Sequence, residues 1–310
     1  MSSAESSEKL EKLVFASNVS PSRSTETNSL LLADSIRSFA GALSRAPVWY
    51  FVPEYGEHLS SDAKERLIAL GVTLIPFDMD PEVARFPFTS EAQAAALAES
   101  MALGDVDLLA WLNPNTLILR EPGEFIIPEG KIMGYRPVHH INVGSRFNDP
   151  IDPFWTQVYR LCDVPEDTVF PMKTHVDNET IRPYFNAGFH VTRPKGGLLQ
   201  AWRDTFLGVY RRPELQELYQ EDRRYAIFIH QAILSGIILS TLAYDEIQEL
   251  PKEYNYPLHL HGEDVTDYRP NYMEELVAIR HEGFHTDPDW MEKMPAREPL
   301  KRWIAERLLR

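Results

Sequence analysis

A regular alternation of short apolar segments with longer amphipathic segments is the feature that most constrains how this chain can fold. Four apolar stretches in the first 113 residues have the length of buried strands, KLVFAS (12–17), APVWYFVP (46–53), VTLIPFD (72–78) and DLLAWLN (107–113). Segments with helical spacing separate them, at residues 29–43, 60–71 and 90–104. Such alternation predicts parallel strands joined by right-handed crossovers. The fold class is therefore α/β, a Rossmann-like sheet flanked by helices.

The remaining two thirds of the chain have a mixed pattern. Strands are predicted at 131–138 and 182–194, helices at 153–162 and within 197–243, and shorter extended pieces at 249–257 and 276–284. No internal repeat or Gly/Ser-rich linker divides the chain, so we expect one domain over residues 9–290. The Ser/Glu-rich residues 1–8 are predicted to be disordered. Residues 291–310 are predicted to form an amphipathic helix that packs on the domain, with contact to a membrane or partner chain as the alternative.

Charge and cysteine content exclude several classes of protein. The chain has 46 acidic and 31 basic residues, a formal net charge of -15, which argues against nucleic acid as a partner. The single cysteine, Cys162, permits neither an intrachain disulfide nor a four-cysteine zinc site, and predicts a reducing, cytoplasmic location. The longest apolar run, from Ala232, is too short for a transmembrane segment.

Common catalytic motifs are missing from the sequence. It contains neither Gly-x-Gly-x-x-Gly nor a phosphate-binding loop that ends in Gly-Lys-Ser/Thr. Gly-x-Ser-x-Gly is also absent, so a serine hydrolase would have no nucleophile elbow. These absences argue against dinucleotide oxidoreductases, P-loop enzymes and α/β-hydrolases.

Four stretches that combine apolar residues with Asn, Gln or His occur in this order along the chain: WLNPNTLIL (111–119), YFNAGFHVTRP (184–194), HQAILSG (230–236) and IRHEGFH (279–285). Together they resemble the nucleotide-diphospho-sugar transferases of the GT-A fold, in particular family 8 glycosyltransferases. In that family a strand ends in Asp-x-Asp, a later strand contains Asn-x-Gly, an Asp-Gln pair opens a helix, and a His-containing turn lies near the end. The resemblance implies a GT-A-type mixed sheet in a single domain, and transfer of a sugar from a nucleotide-sugar donor to an unknown acceptor.

The resemblance and the ends of the predicted strands suggest site residues. Ligands bind beyond the carboxyl ends of strands in such sheets, which places Ser17 and Asn18 in the site. The predicted donor-binding residues are Ser17, Asn18, Arg37, Asn113, Asn115, Asn186 and Gly188. The predicted catalytic residues are Gln231, His230 and Asp177, with Asp177 as a base towards the acceptor. The predicted acceptor-binding residues are His139, His140 and Asn142, a histidine there being a candidate proton carrier.

The largest departure from the family pattern is at the Asp-x-Asp position, where Asn113 and Asn115 replace both carboxylates. Carboxylates there bind Mg²⁺ or Mn²⁺, which bridges the diphosphate. Amide oxygens have no formal charge, so Asn113, Asn115 and His281 would hold Mn²⁺ or Mg²⁺ only weakly. We therefore predict weak metal dependence or none. A basic side chain would then balance the diphosphate; the candidates are Arg23, Arg37, Arg146, Lys173 and Arg182.

Two other functions are compatible with the sequence. The first is a catalytically inactive GT-A-fold protein that binds a nucleotide-sugar or a partner protein, and it is suggested by the same two asparagines. A nucleotidyltransferase on a similar sheet is disfavoured, because such enzymes begin with a Gly-rich loop and residues 16–25 contain no glycine.

Overall fold

The computed structural model describes residues 11–20, 22–55 and 58–308, apart from the side chain of Arg23. The predicted disorder at residues 1–8 falls outside this range. The strands are β1 Leu13–Asn18, β2 Val48–Pro53, β3 Val72–Phe77, β4 Leu108–Leu112, β5 Thr116–Ile118, β6 Met133–Pro137, β7 Met172–Lys173, β8 Thr180–Ile181, β9 Phe185–Thr192, β10 Ile247–Glu249, β11 Tyr256–Pro257 and β12 Ala278–Arg280. The α-helices are α1 Arg23–Phe39, α2 Ser61–Ala69, α3 Pro81–Ala84, α4 Thr89–Ala102, α5 Pro153–Leu161, α6 Leu198–Val209, α7 Pro213–Glu221, α8 Arg223–Thr241, α9 Trp290–Lys293 and α10 Glu298–Leu308.

Seven strands form the main sheet, in the order β10-β6-β9-β4-β1-β2-β3. The predicted strands β1 to β4 are parallel to one another, and β9 is antiparallel to both of its neighbours, β4 and β6. The chain runs from β1 outwards to β3 and then returns to place β4 on the other side of β1. This reversal creates a switch point between β1 and β4, where a crevice opens beyond their carboxyl ends. The predicted α/β class with a mixed sheet is confirmed.

Each face of the main sheet carries its own apolar core. Trp111 and Ala16 face helices α4, α6 and α8, while Leu112 and Phe15 face α1. Alternate residues of a strand point to opposite faces, so a strand buried on both sides is apolar throughout. Helix α4 presents six buried alanines, whose small size allows it to lie close to both the sheet and α6.

A small sheet adds a third layer beside α1. Strand β5 pairs antiparallel with β12, which pairs parallel with β11, and Thr116 lies opposite Arg280. Because only three residues separate β4 from β5, this pairing places the end of β12 at the turn that contains Asn113 and Asn115. Helix α10 covers the layer with Leu300 and Ile304. The Arg307 guanidinium of α10 donates to Asp34 on α1 at 2.7 Å.

Helix α1 begins earlier than the sequence pattern indicates. Residues 18–28 are predicted as a polar loop, but the helix starts at Arg23. Ser22 caps it by accepting a hydrogen bond from the Thr25 N–H at 3.3 Å. Glu26 in its first turn accepts from the Ser60 N–H at 2.7 Å, which ties α1 to the start of α2. A polar first turn is typical of a capped helix, and periodicity of apolar residues does not detect it.

No helix in the described part of the chain is both long and apolar enough to cross a bilayer. Helix α8, at 19 residues, is the longest helix in the described part of the chain, and its apolar side chains from Ile229 to Leu239 are buried against α5, α6, α7 and β9.

We predict that Gly236→Ala destabilises the protein by about 1–3 kcal/mol in chemical denaturation, through overpacking. A methyl group on Gly236 in α8 would lie 2.6 Å from Cys162 Sγ and 2.7 Å from Cys162 Cβ, at the end of α5. The matched control is Gly208→Ala in α6, where a methyl group meets no atom within 4 Å. That substitution should stabilise the protein by about 0.5–1 kcal/mol, since alanine is the better helix former. Equal effects of the two substitutions would contradict the close α5–α8 contact.

Candidate functional site

The polar ends of three strands meet at one edge of the sheet. The Asn113 N–H, just after β4, donates to the Gly188 carbonyl in β9 at 2.7 Å. The His281 N–H, just after β12, donates to the Asn115 carbonyl at 2.9 Å. Strand β9 runs antiparallel to β4, so its first residues lie where β4 ends. Three of the four sequence stretches singled out above are therefore joined by main-chain hydrogen bonds.

The fourth stretch reaches the same edge through a side chain. Gln231 on α8 accepts a hydrogen bond from the Ala187 N–H at 3.0 Å through Oε1. Next to it, Asn186 Oδ1 accepts from the Gly188 N–H at 3.1 Å. Both oxygens are occupied by the backbone of β9, and Asn186 is buried. These two amides hold the Asn-x-Gly segment in shape.

A cavity of about 360 Å³ opens at the switch point. Its lining includes Asn18 at the end of β1, Asn113 after β4, and Glu91 in the first turn of α4. Three aromatic residues also line it, among them Tyr55 and Phe88. Asn18 and Asn113 thus share a cavity, as predicted from the strand ends. Glu91, Tyr55 and Phe88 are additions from the structure, since none stands at a strand end or in a motif.

Phe88 has an unusual backbone conformation. Its φ is +62°, in the left-handed region that residues with a side chain seldom adopt, at a cost on the order of 1 kcal/mol. The ring stacks on the imidazole of His230, with centroids 4.0 Å apart and an interplanar angle of 15°. His230 is buried, its Nδ1–H donates to the Ile227 carbonyl at 2.9 Å, and burial lowers its pKa to about 3. A histidine that stays neutral and buried supports Phe88 rather than carrying protons, which corrects the catalytic prediction for His230.

Arg280, the last residue of β12, lies at the same sheet edge as Asn113 and Gly188. A side-chain carbon built on Gly188 would lie 2.7 Å from Arg280 Nη1, 3.1 Å from Asn113 Cβ and 3.4 Å from Asn113 Nδ2. Only a glycine at position 188 leaves room for the guanidinium beside Asn113. The sequence prediction missed Arg280, although it directly precedes His281 in a stretch that was singled out.

The charge of Arg280 affects the pKa values of three titratable groups, one of which, Glu91, lines the cavity. Burial raises the pKa of Glu91 to about 7, and the positive charge of Arg280 offsets part of that rise. Burial lowers the pKa of His281 to about 3, and Arg280 contributes to the lowering. Burial is also the main cause that lowers the pKa of His139, followed by Arg280. A buried carboxyl group therefore lines the same cavity as Asn113, and its pKa is affected by the charge of Arg280.

The residues at this edge do not fit a divalent metal ion. Asn113 and Asn115 are neutral, and a guanidinium lies beside Asn113. His281 Nδ1 accepts a hydrogen bond from the Gly283 N–H at 3.2 Å, so the proton of the neutral ring is on Nε2 and blocks that nitrogen as a ligand. Among the described residues no cluster of three or more His, Cys, Asp or Glu side chains is arranged to hold a metal. A dication here would meet repulsion from Arg280 without a carboxylate pair to offset it.

Two buried polar atoms remain without partners at this turn. Asn115 Oδ1 and His281 Nε2 have no hydrogen bond within the described part of the structure. The Asn115 amide nitrogen makes one long contact, 3.4 Å, to Glu282. Unpaired buried polar atoms are rare in proteins and are often found at ligand sites.

Several predicted site residues have structural tasks elsewhere. Arg37 lies in the last turn of α1, at the opposite edge of the sheet, and donates to the carbonyls of Leu70, Ser44, Ala46 and Gly71. This excludes it from the site. Ser17 is buried in β1, with its hydroxyl 3.5 Å from the Asn18 carbonyl. Asp177 accepts from the Ile141 N–H at 3.1 Å and from the Thr174 hydroxyl, so both carboxylate oxygens close a turn. That use argues against a catalytic base.

The predicted acceptor-binding residues lie in the loop after β6. The His139 Nε2–H donates to the Asn255 carbonyl at 3.1 Å, and its ring centroid is 5.9 Å from that of His259. His140 is exposed, and Asn142 has a φ of +44°, a conformation that asparagine tolerates in turns. Of this trio, only His140 presents its side chain freely to solvent. Their role towards an acceptor stays a prediction.

The other predicted cations are engaged away from the cavity. Arg146 pairs with Glu179 at 3.0 Å, and Lys173 donates to the Asn178 carbonyl at 2.9 Å. Arg182 donates to Ser145 Oγ at 3.0 Å and to the Asp149 carbonyl at 2.7 Å. The side chain of Arg23 lies outside the described part of the structure.

The mixed sheet, its antiparallel β9 and the polar switch-point edge define a GT-A-type glycosyltransferase fold. The chain belongs to the family described as the Rhodobacterales glycosyltransferase domain, whose model matches residues 18–238. Arg280 and His281 lie beyond the matched residues. The predicted resemblance to GT-A glycosyltransferases is confirmed.

Solved structures of glycosyltransferases share the fold. The crystal structure of the galactosyltransferase LgtC in complex with donor and acceptor sugar analogues is 14% identical, with a TM-score of 0.51 over 96% of this chain and 94% of that one. An active-site mutant of LgtC, glutamine to glutamate, gives 14% identity and a TM-score of 0.51 over 96% and 95%. At this identity the likeness establishes the fold alone. No curated protein sequence gives a significant match.

We predict that Glu91→Gln stabilises the protein more at pH 8 than at pH 5. The folded-state pKa of Glu91 is about 7, above its ordinary value of 4.5. The folded state therefore binds the proton more tightly, and stability falls as the pH rises from 4.5 to 7. Glutamine removes this loss, so its stabilisation should be about 2–3 kcal/mol larger at pH 8.

Urea denaturation of both proteins at the two pH values measures the difference. The matched control is Glu65→Gln on the exposed surface of α2, whose effect should be the same at both pH values. A pH-independent effect of Glu91→Gln would show that the carboxyl group is not buried beside Asn113.

Proposed function

We propose that this glycosyltransferase-family protein binds a nucleotide-sugar at the switch-point edge and transfers its sugar to an acceptor that is still unidentified. The observation that carries the proposal is the shared cavity of Asn18 and Asn113 next to the Asn-x-Gly segment. Its volume, about 360 Å³, suits a nucleoside, with the rest of the donor extending along the edge.

Each part of the donor has a candidate counterpart along this edge. Tyr55 and Phe88 offer aromatic faces to a nucleobase, and Asn18 offers a polar side chain to the ribose. The diphosphate would lie over Asn113 and Gly188, where the backbone can be approached closely. The sugar would lie towards Asn186 and Gln231. The donor-binding predictions for Asn18, Asn113, Asn115, Asn186 and Gly188 are kept in this proposal, as is Gln231, which was predicted to be catalytic.

The chemistry that these residues support is positioning and leaving-group stabilisation. When the glycosidic bond breaks, negative charge develops on the departing nucleoside diphosphate. Preformed donors at the edge, such as the Asn113 amide, lower the barrier because they need no reorganisation as the charge develops. The family's metal supplies this stabilisation as a Lewis acid when it is bound. The residues at this edge favour weak dependence on a metal, or none.

Incubation of the protein with a panel of nucleotide-sugars tests the proposal. We expect at least one of them to raise the melting temperature and to release nucleoside diphosphate, with or without added Mn²⁺. A shift without turnover would favour the inactive binding protein, which the family match does not favour. No response to any nucleotide-sugar, in either condition, would refute the proposed function.

A substitution at Asn113 tests whether the donor binds at the switch-point edge. Asn113→Ala keeps the Cβ beside Gly188 and removes the amide, so donor affinity should fall about tenfold, the effect of losing one or two hydrogen bonds to a charged group. The control is Asn271→Ala on the exposed surface, which should bind the donor like the unmodified protein.

A further inference from the structure

We infer that Arg280 is the group that balances the donor diphosphate, in place of a divalent metal ion. This inference rests on the proposed function and goes further, because it assigns the cation at the site. Neither the Asn-x-Asn turn nor the family match, which ends at residue 238, points to this residue.

The first argument is the position of the guanidinium. Arg280 Nη1 lies over Gly188 and against Asn113, the two residues at which a diphosphate along this edge would be bound. The main-chain bond from His281 to Asn115 fixes the end of β12 to the turn. This bond and the pairing of β12 with β5 together hold the arginine beside the first residue of the turn.

The second argument is that the guanidinium is largely desolvated and only partly paired. The Arg280 side chain is 18% exposed. Its Nε makes a long contact, 3.4 Å, with Glu282, a carboxylate that is itself 53% exposed. Within the described residues, Nη1 and Nη2 have no hydrogen-bond acceptor. An arginine with two free N–H edges in a cleft is suited to bidentate recognition of phosphate oxygens.

The third argument is the charge balance. With Asn113 and Asn115 neutral, the positive charge of Arg280 is not cancelled by carboxylates in the turn, whereas the two charges of a divalent metal ion would be cancelled by an Asp-x-Asp pair. Glu91 and Glu282 oppose it when no donor is bound. A diphosphate that binds to Arg280 therefore competes with protein carboxylates, not with a metal ion.

Binding of nucleoside diphosphates tests the inference, with UDP, GDP, ADP, CDP and dTDP as probes in calorimetry. For the diphosphate that binds the unmodified protein, EDTA should change the affinity by less than about twofold. Arg280→Gln should lower the affinity for that diphosphate about 10- to 100-fold. Arg280→Lys should lower it less, because lysine keeps the positive charge but cannot form the bidentate contact. The affinity for the corresponding nucleoside should be unchanged.

Two further variants separate the position of the charge from its presence. Gly188→Ala keeps Arg280 but forces its Nη1 away from Asn113. This variant should therefore also lower the affinity for the diphosphate. The matched control is Arg160→Gln, which removes an arginine paired with Glu214 on the surface of the protein and should have no effect. Melting curves of all variants identify any that do not fold.

The outcomes distinguish the inference from the proposed function. Diphosphate binding that is lost in EDTA and restored by Mn²⁺ would keep the function and overturn the role of Arg280. Undiminished binding by folded Arg280→Gln would overturn it as well. If no diphosphate binds with or without Mn²⁺, the proposed function fails, and the inference fails with it.

Discussion

The hydrogen bond from the Asn113 N–H to the Gly188 carbonyl is the contact on which the site depends. It exists because β9 enters the sheet antiparallel to β4, so that the first residues of one strand meet the last residues of the other. A parallel β9 would have carried Asn186 and Gly188 to the far edge. The antiparallel direction of β9 therefore brings the turn at Asn113 and Asn115, Gly188 and the cavity at the end of β1 to the same edge of the sheet.

Two charged side chains near the same edge are largely buried, which is unusual for charged groups. Glu91 and Arg280 are both mostly shielded from water, and each is expensive to bury alone. The positive charge of Arg280 offsets part of the cost of burying the Glu91 carboxyl group, although the two side chains form no ion pair in the described part of the structure. A site that keeps its charges partly unsatisfied retains free energy for binding a charged ligand, at the expense of stability.

The buried histidines divide into groups with different tasks. His230 supports the strained Phe88, and His139 closes the loop after β6 through a backbone carbonyl. His281 differs, because its Nε2 has no partner in the described structure and lies one residue from Arg280. Burial lowers the pKa of all three, so they are neutral near pH 7 and act through packing and hydrogen bonds. Among Arg280 and these histidines, the arginine therefore carries the positive charge near pH 7.

The sequence by itself determined the α/β fold, the four parallel strands and the order of the polar segments, because strand and helix periodicity and strand-end residues are local properties of the chain. The strand ends also indicated that Asn18 and Asn113 lie at one edge, and the family resemblance added Gly188. Only the tertiary structure decided which charged groups reach that edge. Arg37, Asp177 and Arg280 look alike as polar residues in a sequence, but the long-range pairing of β12 with β5 turns Arg280 towards Gly188, while Arg37 satisfies backbone carbonyls at the opposite end of the sheet. The direction of a long side chain is set by contacts between residues far apart in the chain, and no local pattern encodes it.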